Sequence, residues 1–339
     1  MTFRLGFQTH VHGREPAREL YPAILDLFVA AEELGFDSGW VAQHHLHTDE
    51  GRMPSPLVLL SAVAARTDRI RLGTAIVALP LEDPLRASED AAVLDALSDG
   101  RLELGVGSGN PTQDEFTAFG KTTDQRHALY AAHLATLRSA LAGEPLPGGL
   151  RLSPEALSLL DRIWQSPLSE ERVRSVAASG DGILLGIGPA STVQLELAKA
   201  YLDSFVGERP RLAVVHSAFP GESREERAAA IWPDVKKSLG FYARAGWVSE
   251  DAEAAELLPA MNIHHGTVDQ IIASLAAEPV IELASDLVLA VQAESTSVDA
   301  AIRTLETIAT RIAPALGWQP ATASIATTSL TTPSIGLRP

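Results

Sequence analysis

The chain has 339 residues, and 27 Lys and Arg against 43 Asp and Glu give a formal net charge of −16. With 46% hydrophobic and 21% charged residues it has the make-up of a globular protein with a sizeable core. That excludes a mainly disordered chain, and the acidic balance argues against nucleic acid or an anionic membrane as the main partner. No cysteine is present, which excludes disulfides, thiolate metal sites, iron–sulfur clusters and a cysteine nucleophile. No apolar run approaches the ~20 residues of a membrane span. The opening "MTFRLGFQTH" lacks a signal-peptide layout, so a cytoplasmic location is expected.

In chain order, "FRLGFQ" (Phe3 to Gln8) predicts a strand, and helical spacing of Leu20, Ile24, Leu27, Phe28, Ala31 and Leu34 predicts a helix over 18–34 capped by Gly35. "SGWVAQ" (38–43) predicts the second strand. Ser55 and Pro56 open a helix to Arg66, and "IRLGTAIVAL" (70–79) predicts the third strand. A helix over 84–97 leads to the fourth strand, "GRLELGVGSG" (100–109). Asp124 to Leu141 predicts a helix, and Gly143 to Gly149 is a breaker segment read as part of an insertion around 143–160. Strands over 162–166 and 182–187 flank a helix over 169–178. The seventh strand is 211–219, and a helical stretch over 224–245 is expected to break at Pro233. The eighth strand is 285–293, followed by a helix over 298–312. Eight strands, each followed by helical pattern, favour a closed (β/α)8 TIM barrel with insertions over an open doubly wound α/β sheet. Residues 1–320 are read as one barrel domain and the Ser/Thr-rich 321–339 as a tail.

In such a barrel, ligands meet the C-terminal strand ends and the loops after them. The second strand ends in Gln43, His44, His45, His47, Asp49 and Glu50. Three readings are open there: a metal site, surface or packing histidines, or His44 pointing into the pocket as a proton donor or acceptor. Neighbours on a strand point to opposite faces, so His44 and His45 cannot both face one ion. The fourth strand ends in Gly105, Gly107, Ser108 and Gly109, which let a flat ligand approach the backbone. Asn110 and Pro111 suggest a helix start suited to a phosphate. Ser166 and Ser169 form a second anion candidate, with a plain N-cap as the alternative for Ser169. "IHHGTVDQ" (263–270) reads as a polar loop with Thr267 as N-cap. Asp37, Asp90, Asp95 and Asp181 form no acid/base pair by spacing.

The runs "LGFDSGWVAQHH", "PSPLVLLSAVAARTDRIRLGTAIVALPLEDPLRASEDAAVLDALSDGRLELGVGSG" and "SGDGILL" resemble the bacterial luciferase-like flavin monooxygenases, nearest to an FMN-dependent branch whose second strand ends in Gln-His-His. The resemblance implies a luciferase-like barrel, usually a homodimer, that takes reduced FMN and O2 to oxygenate a small organic substrate, with the reduced flavin supplied by a separate flavin reductase. Deazaflavin is the alternative cofactor, and a metal-dependent isomerase is the alternative without a flavin. The resemblance places His44 at the reactive edge of the flavin, Gln43 beside it, and a cis peptide at Ala75–Ile76 under the ring. The cofactor-binding set it implies is Gln43, Thr74, Ala75, Ile76, Gly107, Ser108, Gly109, Gln165, Ser166, Ser169 and Gly186. Two departures stand out. Ser108 replaces an Arg that grips the phosphate in luciferases, and "LLGIG" (184–188) replaces Ser-Arg-Thr. Both cationic contacts are then expected to be missing, giving weak FMN binding or a diverged relative that no longer binds flavin.

Overall fold

Trp40 and Trp164 fill the inside of a closed parallel barrel, and the strands around them are built to make room. The computed structural model describes residues 3–46, 51–109 and 114–320. Among these residues the strands are β1 (Arg4–Thr9), β2 (Ser38–Val41), β3 (Arg71–Thr74), β4 (Val77–Ala78), β5 (Leu102–Gly107), β6 (Ile163–Gln165), β7 (Gly182–Leu185), β8 (Leu212–Pro220), β9 (Ile263–Gly266) and β10 (Asp286–Ala290). Eight of them, β1, β2, β3, β5, β6, β7, β8 and β10, pair in that order. β10 then pairs with both β8 and β1, which closes the ring and rules out an open sheet.

The two indoles meet edge to face with centroids 5.4 Å apart. A Cβ at Gly73 would lie 2.2 Å from Trp40 Cδ2, and one at Gly182 would lie 2.5 Å from Trp164 Cε3, so only glycine fits beside each ring. Leu184, Ala213, Val215 and Val288 complete the interior. Alternate residues point outward: Leu5, Phe7, Leu212 and Val214 join the larger apolar layer between strands and helices. At the N-terminal end of the barrel the buried Glu103 carboxylate pairs with Arg71 and accepts from Trp164 Nε1 at 2.6 Å.

All eight predicted barrel strands are present, and the helix predicted over 84–97 spans Pro84–Leu97. Three details differ from the sequence reading. The third strand is split into β3 and β4, with a cis Ala75–Ile76 peptide between them. Ile263–Gly266 is a strand, not a loop. It pairs with the long C-terminal overhang of β8, and Thr267 does cap the helix that follows. Pro233 sits inside helix Arg224–Val235, and the break falls at Lys236–Ser238. Within the breaker segment and its sequel, Leu152, Ala156 and Leu159 are buried in the main core. No helix among the described residues is long and apolar enough to cross a membrane.

Candidate functional site

Parallel pairing sets Gln8 opposite Trp40 and Gly6 opposite Ser38. The period of two then carries the interior face upward through Gln8 and His10 on one chain segment, and Trp40, Ala42 and His44 on the other. The two imidazoles meet at the mouth, His10 Nδ1 lying 2.8 Å from His44 Nε2. His45 diverges from its neighbour. Its ring packs edge-on against Phe119 at 4.9 Å and lies 4.0 Å from Glu82 Oε1. Burial, opposed by Glu82, lowers its pKa. The Gln43 side chain braces the rim: its amide nitrogen donates to Pro54 O and Glu82 Oε1, and its Oε1 accepts from Ala78 N at 2.7 Å.

A bulge next to this rim forms the cavity floor. Thr74 Oγ1 donates to Gly105 O at 2.8 Å and accepts from Gly105 N at 2.9 Å. A Cβ at Gly105 would fall 1.9 Å from Thr74 O, and one at Gly107 2.7 Å from Ile76 Cδ1, so these glycines let the Ala75–Ile76 turn lie flat on β5. The result is a cavity of about 510 Å³ at the C-terminal mouth. It brings together Gln43, His44, Ala75, Ile76, Gly107, Ser108, Gly109, Ser166 and Ser169 from the set expected from the sequence.

Three expected residues do not line it. Thr74 is buried and spends its hydroxyl on Gly105. Gln165 is turned into the wall, accepting from Tyr130 Oη and donating to Asp181; it borders an adjoining cleft of about 430 Å³. Gly186 lies beyond β7, where its carbonyl accepts from Gln194 Nε2 at 2.8 Å. His47, Asp49, Glu50, Asn110 and Pro111 lie outside the described residues, as does the 321–339 tail. Asp37, Asp90, Asp95 and Asp181 are each held in separate structural contacts. Among the described residues no three His, Asp or Glu side chains are grouped to hold a metal ion.

The two positions at which the resemblance expects cations, Ser108 and 184–188, carry none, but the cavity has cations from elsewhere in the chain. Arg126, from the first turn of helix Arg126–Leu141, and Arg172, from helix Glu170–Ala178, both line the cavity near Ser108, Ser166 and Ser169. His127 lies between them, with Nε2 2.9 Å from Arg126 Nη2 and Nδ1 2.5 Å from Arg172 Nη1. A neutral imidazole has one lone pair for two guanidinium donors, so this cluster has more N–H groups than acceptors. Arg126 Nε is buried without a hydrogen-bond partner, and one carboxylate, Glu115, lines the same cavity. Burial, then the charge of Arg172, lowers the Arg126 pKa. Burial followed by the two guanidiniums does the same to His127. Such a cluster is satisfied by an anion with several acceptor oxygens, such as a phosphate.

A second cavity, of about 580 Å³, opens on the other side of the imidazole pair and shares His10 and His44 with the first. Its walls mix apolar and aromatic side chains, Phe219, Phe241, Tyr242 and Met261, with the charged Asp234, Lys237, Arg244 and Glu294. Burial raises the Tyr242 hydroxyl pKa.

Residues 1–278 match the family model for luciferase-like monooxygenases. The chain belongs to that family. Among curated relatives, this chain is 36% identical over 169 residues to the uncharacterised protein y4vJ of Sinorhizobium fredii. The match covers 49% of this chain and 46% of the relative; the chain spans about half the length of the curated relatives it matches. The oxygenating constituent of 3,6-diketocamphane monooxygenase from Pseudomonas putida, solved with FMN, shares the fold with a TM-score of 0.72. It is 18% identical, and the match covers 93% of this chain and 98% of that one. An F420-dependent secondary alcohol dehydrogenase shares it with a TM-score of 0.71 at 15% identity, over 93% and 99%.

Proposed function

We propose that this family member is a flavin-dependent monooxygenase that takes reduced FMN and O2, oxygenates a small organic substrate, and receives its reduced flavin from a separate reductase. The observation that carries this reading is the donor-rich Arg126–His127–Arg172 cluster, set beside Ser108, Ser166 and Ser169 at one end of a cavity floored by the Ala75–Ile76 bulge. The arginines and serines hold the phosphate, and the flat floor at Gly107 and Ile76 receives the ring. Reduced flavin supplies the two electrons with which O2 becomes one oxygen atom in product and one in water. His44 handles a proton at the partition between the two cavities, and the second cavity, with its aromatic wall of Phe219, Phe241 and Tyr242, holds the substrate.

A reading as a deazaflavin-dependent oxidoreductase has one observation in its favour. The adjoining cleft shares Ser108, Ser166, His127 and Arg172 with the first cavity and gives room for a longer anionic tail. We also propose a homodimer joined through helices Pro56–Ala64 and Pro84–Leu97, whose outer faces expose Val58, Val93 and Leu97.

Incubation with chemically reduced FMN, 18O2 and a panel of aldehydes, ketones and aromatic substrates tests the reaction. One 18O per product molecule is the expected result. Hydride transfer to or from reduced deazaflavin, with no oxygen incorporation, would select the second reading.

A further inference from the structure

His10 takes no part in holding the flavin in the reading above, yet its Nδ1 lies 2.8 Å from His44 Nε2. Its ring stands between Gln8 and His44. The Gln8 amide nitrogen lies 3.4 Å from His10 Nε2, and an amide nitrogen can only donate, so His10 Nε2 is an acceptor. A neutral imidazole with an accepting Nε2 carries its proton on Nδ1, the atom 2.8 Å from His44 Nε2. We propose that His10 is a positioning residue that fixes the tautomer and tilt of His44, donating from Nδ1 to His44 Nε2 and so placing the His44 proton on Nδ1.

The surroundings keep this arrangement in one state. Burial, then the neighbouring imidazoles His44 and His12, hold His10 well below its ordinary pKa, so it stays neutral and retains its accepting nitrogen. The His12 ring stacks on its other side at 5.5 Å. The backbone is pinned on both segments, Arg52 N donating to His10 O at 3.2 Å and His44 N to Met53 O at 3.0 Å. Gly51 closes the clamp: a Cβ there would lie 2.5 Å from His44 Cδ2 and 2.6 Å from His10 O. The rings therefore keep a centroid separation of 5.0 Å and a tilt of 39°.

The functional part of this inference rests on the reading of His44 as the proton-handling group, but the tautomer belongs to the protein without any cofactor. Long-range 1H–15N spectra of the full chain labelled with [15N]histidine, with His44 assigned from its loss in His44→Gln, separate the two. The expected result is His44 protonated at Nδ1 in the parent protein and in His10→Asn, whose amide nitrogen takes the place of the imidazole Nδ1–H, and a changed or averaged tautomer in His10→Leu. In turnover, His10→Leu should lower kcat at least roughly tenfold with little change in KM for flavin, and His10→Asn should restore most of it. His44 protonated at Nε2 in the parent protein, or a His44 signal unchanged in His10→Leu, overturns the proposal. Absent flavin turnover together with the expected tautomers would instead overturn the reading of the reaction and leave the positioning role standing.

Discussion

Arg126 and Arg172 carry the anion-binding case, and neither stands out as a residue in the sequence. Each comes from a surface helix, 46 positions apart in the chain, and only the packing of those helices beside β5 and β6 brings them to Ser108 and Ser166. Charge-assisted hydrogen bonds contribute ~1.5–3 kcal/mol each, so Arg126→Ala should weaken reduced-FMN binding by roughly ten- to a hundredfold. Fluorescence titration under anaerobic conditions reads this, and an unchanged Kd would remove Arg126 from the site. His44, by contrast, was a candidate from the sequence, because it follows a strand whose C-terminal end must face the mouth, and the family resemblance set Gln43 beside it. His10 was not, because the first predicted strand ends at Gln8, although the same alternation carries on to His10 one residue past β1. Gly51 was hidden too, because its role depends on the His44 ring and the His10 carbonyl, from other segments, meeting the place a Cβ would take.

At the scale of elements, β8, β9 and two helices are tied together by a buried polar chain. His216 Nε2 lies 2.9 Å from Gln194 Oε1, His216 Nδ1 lies 2.9 Å from His264 Nε2, and His264 Nδ1 lies 2.8 Å from Ser274 Oγ. Gln194 passes the link on to Gly186 O, so the chain also anchors the turn after β7. Burial, then the charges of His265 and Arg224, lowers the His264 pKa to about 4, and burial with His264 holds His216 well below its ordinary value. Both folded-state values lie below the unfolded value of about 6.5. Stability from this chain is therefore complete above about pH 6.5 and is lost as pH falls toward 4, because the unfolded chain then binds protons that the folded one rejects. For His264 alone the loss between pH 6.5 and 5 is about 2 kcal/mol. Urea melts at pH 7.5 and 5.0 should show a smaller pH penalty in His264→Gln than in the parent chain; an equal penalty would contradict this assignment. The element order of the barrel was readable from alternating strand and helix patterns. β9 was not, because its two adjacent histidines mimic a polar loop, and only the overhang of β8 gives it a partner.

At the scale of the whole molecule, the net charge of −16 coexists with a locally cationic cavity, so an anionic ligand is held by local groups against the overall field. The same scale holds the proposed dimer. Leu97 is 62% exposed and Val58 70% exposed on neighbouring helices, and Leu97→Asp should shift sedimentation from dimer to monomer while leaving the melting temperature within a few degrees. A parent protein that sediments as a monomer would refute that face as an interface. Barrel closure sets two cavities side by side with an imidazole pair between them, and this division of labour is what the account depends on. The most direct measurement compares anaerobic binding of reduced FMN with that of reduced riboflavin, which lacks only the phosphate, in the parent chain and in Arg126→Ala/Arg172→Ala. The account predicts at least roughly tenfold tighter binding of FMN in the parent and a gap that closes in the double variant; equal affinities in the parent chain would contradict it.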